Sequence, residues 1–182
     1  ACPVLYKILT RTISSAMLRE IHYVIDMTQC GFQLFKETGH STHLTQCISQ
    51  YCLQQQSTGI MLFADQSKAY DRVSHAFLHK VLATMGFPDE FVSLIRTLYH
   101  NTEICLSVNG HLGRTIRPQN GLKQGDGLSC PLYLCAFQPF LSLIATDPNT
   151  YDGISFGHSP LEPRIPAQHY AGPDAAGLSH AA

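Results

Sequence analysis

Apolar residues recur at spacings of three and four along much of this chain, and those stretches predict amphipathic helices. Between Tyr6 and Ile25 the positions Ile8, Leu9, Ile13, Met17, Leu18, Ile21 and Ile25 form one stripe, which Gly31 breaks. A second helix is expected over His43 to Gln55, where Leu44, Cys47, Ile48, Tyr51 and Cys52 share a face. The polar stretch from Gln33, with Gly39 inside it, reads as the loop between the two. After the turn residues Ser57-Thr58-Gly59, the run Ile60-Met61-Leu62-Phe63-Ala64 is short and continuously apolar, the pattern of a strand buried on both faces, and it ends at Asp65.

Ser74 offers an N-cap to a helix running through Met85, and Gly86-Phe87-Pro88-Asp89 separates it from a further helix, Glu90 to Tyr99. Ile104 to Val108 and a second extended piece through Ile116 flank Asn109-Gly110, whose readiness for positive φ predicts a two-residue hairpin turn. A glycine-rich loop, Gly121 to Ser129, leads into a last helix over Pro131 to Ala145. Beyond Asp147 prolines and glycines crowd the sequence, and only short strands are expected, around Ile154-Phe156 and Ala167-Ala171. There is no internal repeat, and the order of elements is α+β.

With 182 residues, 45% hydrophobic and 14% charged, the chain is long and apolar enough for one globular domain or two lobes of one, which excludes disordered and fibrous classes. Twelve Lys and Arg against thirteen Asp and Glu leave a formal net charge of −1, so a polyanionic partner must meet a local patch. The most apolar stretch, Cys130 to Ala145, is interrupted by Gln138, Pro139 and Ser142 and falls short of the roughly 20 residues of a bilayer span, so no membrane partner is expected. No basic-then-apolar leader opens the sequence and it starts at Ala1, which reads as a piece of a longer, intracellular chain. The seven cysteines are odd in number and irregularly spaced in apolar surroundings, as reduced thiols would be.

Two places carry candidate chemistry. Asp65 and Asp71 bracket the stretch that follows the expected strand, and either is satisfied as a turn or helix cap. The sharper reading makes Asp65 a ligand for a divalent cation, because hard cations take carboxylate oxygens and a strand end aims one rigidly; a second carboxylate must then come from elsewhere. The loop Gly121-Leu-Lys-Gln-Gly-Asp-Gly-Leu-Ser129 lets backbone approach a ligand closely, and Lys123 offers a positive charge to phosphate. Its glycine spacing fits neither the phosphate-loop nor the dinucleotide pattern. His40, His43, Cys47 and Cys52 fit no ordinary zinc spacing, and no Gly-x-Ser-x-Gly elbow is present.

In order along the chain, these pieces resemble one family. Leu62-Phe-Ala-Asp-Gln-Ser-Lys-Ala-Tyr-Asp-Arg-Val-Ser-His75 resembles the first palm motif of reverse transcriptases from non-LTR (LINE-type) retrotransposons. Leu106-Ser-Val-Asn-Gly110 is similar to the hairpin before the second palm motif, and Gly121-Leu-Lys-Gln-Gly-Asp-Gly-Leu-Ser-Cys-Pro-Leu132 to that motif itself, usually Gly-Val-Arg-Gln-Gly-Asp-Pro-Leu-Ser-Pro. Tyr6-Lys-Ile-Leu and Gln29-Cys-Gly-Phe32 look like the fingers segments. The resemblance runs from Tyr6 to about Tyr170 and implies a right-hand polymerase palm over 60–182 with partial fingers over 1–59 and the thumb absent.

By that resemblance Asp65 is the first metal ligand, the backbone carbonyl of Gln66 a further one, and Tyr70 the aromatic gate beneath the sugar of the incoming deoxynucleotide. Gln124 and Gly125 form the floor of the nucleotide and template pocket, while Asp71 and Asp126 are structural. The implied chemistry is RNA-directed DNA synthesis with two Mg²⁺ (or Mn²⁺) ions, an RNA template and a DNA primer, in a nuclear setting within a larger polyprotein.

Where the family carries a Tyr-Ala-Asp-Asp turn, this chain reads His169-Tyr-Ala-Gly-Pro-Asp-Ala-Ala176: either Gly172 and Pro173 replace both aspartates, or they are inserted and Asp174 is the candidate second carboxylate, two positions late. A two-residue shift along a strand moves a carboxylate about 6.6 Å, against Mg–O distances of about 2.1 Å. The Arg-Pro-Ile stretch, the Gly-Arg pair (here Gly39-His40) and two prolines (here Gly127 and Cys130) are also missing. These departures predict a chain that does not catalyse, with a non-catalytic remnant binding nucleic acid weakly as one alternative and an unrelated small metal or thiol protein as the other.

Overall fold

The computed structural model describes residues 4–146 except positions 27, 34, 57–59 and 101. Asp174, the altered turn around it and the short strands expected after Asp147 lie outside the described residues. Five helices and a two-stranded sheet make up the described α+β fold: α1 (Val4–Glu20), α2 (Thr38–Gln54), α3 (His75–Thr84), α4 (Asp89–Tyr99), β1 (Ile104–Val108), β2 (His111–Ile116) and α5 (Ser129–Thr146).

The stripe of α1 delivers Met17, Ile21 and Ile25 to the core, but the helix does not run on to Ile25. It tightens into a 3-10 turn at Ile21–Tyr23, where the amides of Val24 and Ile25 both return to the Ile21 carbonyl at 3.0 Å. The second helix begins at Thr38 rather than His43 and takes Gly39 into its first turn. It buries no side chain, and Cys47, expected on an apolar face, is exposed.

Ser74 caps α3 as its position predicts, its hydroxyl accepting from the Phe77 amide at 3.5 Å. Asp89 and Glu90 place negative charge in the first turn of α4, against the positive end of its dipole. Asn109 and Gly110 adopt φ of +49° and +80°, the two left-handed residues that join twisted antiparallel strands. The hairpin pairs Val108 with His111 and Ile104 with Ile116, with an irregularity between Cys105 and Ser107.

The core lies where α3, α4 and α5 meet, with α1 against one side. Leu78 and Leu82 of α3, Ile95 of α4 and Leu132 and Leu134 of α5 are fully buried, each contributing about 1.5–3 kcal/mol of apolar burial. Length and composition would allow α5 to cross a bilayer, yet eight of its residues are buried, among them Leu132, Leu134, Cys135 and Leu141.

The buried strand expected at Ile60 to Ala64 is not formed. Those residues take no regular secondary structure and are exposed, Ile60 fully and Leu62 to 86%. A strand is completed only by neighbours that take up its N–H and C=O groups, and the described residues offer this run none. Asp65 consequently sits at the end of an exposed segment without regular structure and not of a buried strand.

Candidate functional site

The two motif segments are fastened to each other through main-chain atoms. The amide of Leu122 donates to the Tyr70 carbonyl at 2.9 Å, that of Gly121 to Val73 at 2.8 Å, and that of His75 to Gln119 at 3.1 Å. Ser74 and Asn120 complete an antiparallel bridge at the centre of this clamp. Gly121 has φ +98°, which favours glycine, while a Cβ there would meet the Asp71 carbonyl oxygen only at ordinary van der Waals distance, 3.4 Å. The His75 ring reinforces it, Nε2 donating to the Gly121 carbonyl at 2.8 Å.

Ahead of the clamp, residues 67–72 turn back on themselves, with the Arg72 amide on the Lys68 carbonyl at 3.2 Å and Lys68 at φ +52°. Just before the turn, the Asp65 carboxylate is exposed and makes no hydrogen bond or ion pair among the described residues. The Gln66 side-chain oxygen accepts from the Tyr133 hydroxyl at 2.6 Å. The Tyr133 ring stacks on Tyr70 at 4.9 Å on one side and on Phe137 at 5.6 Å on the other. Tyr70 in turn donates its hydroxyl to Cys130 Sγ at 3.6 Å.

Burial pushes the Tyr133 phenol up to about 12, and the negative charge of Asp65 adds to the rise. Burial, then the Cys130 contact, raises Tyr70 as well. Both hydroxyls therefore remain protonated donors at neutral pH. A groove of about 260 Å³ runs beside this column, between Gln66, Arg72, Phe77, Tyr133 and Phe137.

On the loop before α5, Gln124 donates through Nε2 to Asp71 Oδ1 at 3.3 Å, a second bridge between the two motifs. Gly125 has φ +77° with open space where a Cβ would go, so within the protein its conformation, and not crowding, asks for glycine. Asp126 is structural, as expected: Oδ1 accepts from the Leu128 amide at 3.2 Å, which fixes the entry to α5. α1 holds the same loop from outside through Ser14, whose hydroxyl donates to the Gly127 carbonyl at 2.9 Å.

Lys123 has a different setting from the phosphate contact its position suggested. Its ammonium donates to the Tyr6 hydroxyl at 2.9 Å and the Leu98 carbonyl at 2.8 Å, and lies over the Tyr6 ring at 4.3 Å. It ties α1 to the end of α4. Among the described residues no three His, Cys, Asp or Glu side chains converge to hold a metal ion, and of the His and Cys cluster on α2 only His43 and Cys47 touch, at 3.7 Å.

The structure thus brings Asp65, Gln66 and Tyr70 to one aromatic column and Asp71 to Gln124, while Lys123 lies apart and Asp174 outside the described residues. Tyr133 is the residue that sequence reasoning missed. Its signal was present, since Tyr133, Phe137 and Phe140 fall at helical spacing on α5.

Residues 1–171 match the reverse transcriptase (RNA-dependent DNA polymerase) family. A protein of Xenopus laevis described as the transposon TX1 uncharacterized 149 kDa protein is 30% identical over 143 residues, covering 76% of this chain and 11% of that protein. The Pol polyprotein from the type-1 retrotransposable element R2 of Nasonia vitripennis is 27% identical over 140 residues, covering 71% of this chain and 14% of its own length. That from the type-2 element R2DM of Drosophila melanogaster is 36% identical over 69 residues, 38% of this chain and 6% of its own length. The chain therefore spans about a tenth of the curated relatives it matches. It belongs to the reverse transcriptase (RNA-dependent DNA polymerase) family, as a reverse transcriptase domain of the non-LTR retrotransposon kind.

Proposed function

We propose that residues 60–182 are a polymerase palm and 1–59 part of its fingers, and that the chain seats a deoxynucleotide against an RNA template and a DNA primer. The main-chain clamp between residues 70–75 and 119–122 carries this reading, because it joins the segment bearing Asp65, Gln66 and Tyr70 to the loop bearing Gln124 and Gly125. The unpartnered carboxylate of Asp65 and the carbonyl of Gln66 suit a hard divalent cation, Mg²⁺ or Mn²⁺, and would hold it. When bound, such ions activate the primer hydroxyl and stabilise the leaving pyrophosphate.

The remaining steps belong to the chain's own side chains. Tyr133 holds Gln66 by its side chain. The Tyr70 ring is fixed from two directions, by stacking on Tyr133 and by its bond to Cys130. A ring held there excludes a ribose 2′-hydroxyl sterically and so favours deoxynucleotides. Cys130 stands where the family has a proline, which could not accept the Tyr70 bond.

The same reading takes the chain to be catalytically silent, because Gly172 and Pro173 occupy the place of the family's aspartate pair and leave only Asp174 nearby. Mn²⁺ titration and primer extension on wild type, Asp65→Ala and Asp174→Ala test both parts. Mn²⁺ binding that is lost in Asp65→Ala, without extension in any sample, is the expected result. Extension that disappears in both variants would overturn the silence, and a folded wild type with no Asp65-dependent Mn²⁺ binding would overturn the seat itself.

A further inference from the structure

On the other side of α3 from the Phe77 groove lies a cavity of about 410 Å³, between α3, α4 and the segment 117–119 that follows β2. Phe77 is two residues from both His75 and His79, about 200° around the helix, so the cavity and the groove use opposite faces of α3. The cavity is lined by His75, His79, Arg96, Tyr99, His100 and Arg117 among others, and no acidic side chain lines it.

Arg96 is exposed and makes no ion pair among the described residues. Arg117 is joined to Glu103, Nη2 to Oε1 at 2.8 Å, so that one guanidinium is locally balanced and the other is not. His79 lines the same cavity, its ring Nε2 buried and without a hydrogen-bond partner among the described residues. A concave site lined by arginine and histidine side chains, with no acidic side chain in its lining, is complementary to a small oxyanion.

We propose that this cavity is an oxyanion site that takes a phosphate group of a nucleic-acid backbone, held by Arg96 and Arg117 with the His79 ring beside them. The backbone as the source of the phosphate rests on the function proposed above; the oxyanion chemistry does not. The titratable and charged groups that share the cavity with His79 are His75 from its own helix, Arg96 and Tyr99 from α4, His100 just after it, and Arg117, with its attached Glu103, beside the strand ends. Burial, then the charges of Arg96 and His75, lower the His79 pKa. A bound anion offsets those charges, so binding and protonation of His79 reinforce each other, and affinity for a phosphodiester, whose own charge is constant in this range, rises as the pH falls from 7.5 to 5.5.

The test is a titration of the metal-free full chain with inorganic phosphate and, separately, with a short single-stranded RNA, following the His79 ring resonances assigned by their loss in His79→Gln. Both ligands should raise the pH at which His79 titrates. Both should bind at least fivefold more weakly to Arg96→Gln, and the RNA more tightly than phosphate. Arg96 is exposed, so this variant leaves the core intact. Phosphate binding without RNA binding would overturn the backbone source, and His79 resonances unmoved by either ligand, or unchanged affinity in Arg96→Gln, would overturn the site. Asp65→Ala should bind phosphate as wild type does, which separates failure here from failure of the metal seat.

Discussion

Tyr133→Phe removes a single oxygen from the centre of the candidate site and leaves its ring where it was, between Tyr70 at 4.9 Å and Phe137 at 5.6 Å. What is lost is the bond to Gln66, at 2.6 Å near the short end of the range for O–H donors of about 2.5–3.0 Å. Such a bond nets about 0.5–1.5 kcal/mol, and because Gln66 is exposed and water competes for it, about 1 kcal/mol is expected. In a chain of this length that is a fall in Tm of about 2–4 °C. Gln66→Ala removes the same bond from its other end, so the two changes together should cost about 1 kcal/mol less than their sum.

Urea unfolding of wild type, both single variants and the double variant measures that coupling directly. If Gln66 is also positioned for metal by this bond, Mn²⁺ affinity in Tyr133→Phe should fall by up to about fivefold, the same 1 kcal/mol expressed as a dissociation constant. A coupling within about 0.3 kcal/mol of zero would refute the reasoning, since additivity is what unconnected residues show.

Two further predictions concern titration. Burial pushes the Cys135 thiol up to about 12, so at pH 8 a thiol reagent should label exposed Cys47 and Cys105 and leave Cys135 untouched until the chain unfolds; early mass-mapped labelling at Cys135 would show an open core. His79 titrates below its ordinary 6.5 when folded, so the unfolded chain binds that proton more tightly and acidification through 6.5 favours unfolding. Wild type should therefore lose stability relative to His79→Gln between pH 8 and pH 5 in the absence of anions. An equal gap in urea midpoint at the two pH values would contradict the assignment.

What the sequence revealed and what it hid divide along one physical line. The extents of α3, α4 and the hairpin were legible because their determinants are local: Ser74 at a cap, Gly86-Phe87-Pro88 as a break, Asn109-Gly110 as a turn. Asp126 as a structural carboxylate was legible for the same reason, since its partner Leu128 is two residues away. Ile60 to Ala64 read as a buried strand from composition, but burial of a strand depends on a distant partner that the pattern does not name. Lys123 read as a phosphate contact because a lysine in a glycine loop points nowhere in particular until Tyr6 and Leu98, far away in sequence, are folded against it. Tyr133 was hidden in an apolar helix where its hydroxyl looked incidental.

The clamp between the two motifs has a meaning for how such a chain ages. Its bonds run from the amides of His75, Gly121 and Leu122 to carbonyls, and the genetic code can change every side chain around them without altering either partner. Proline at one of those three donors deletes a rung outright, and any other residue at Gly121 strains its backbone at φ +98°. The relative placement of the two segments is therefore insulated from most point mutation in a way that a lone carboxylate is not. Side chains along the two segments can therefore be exchanged one by one while the scaffold that aligns them stays in place.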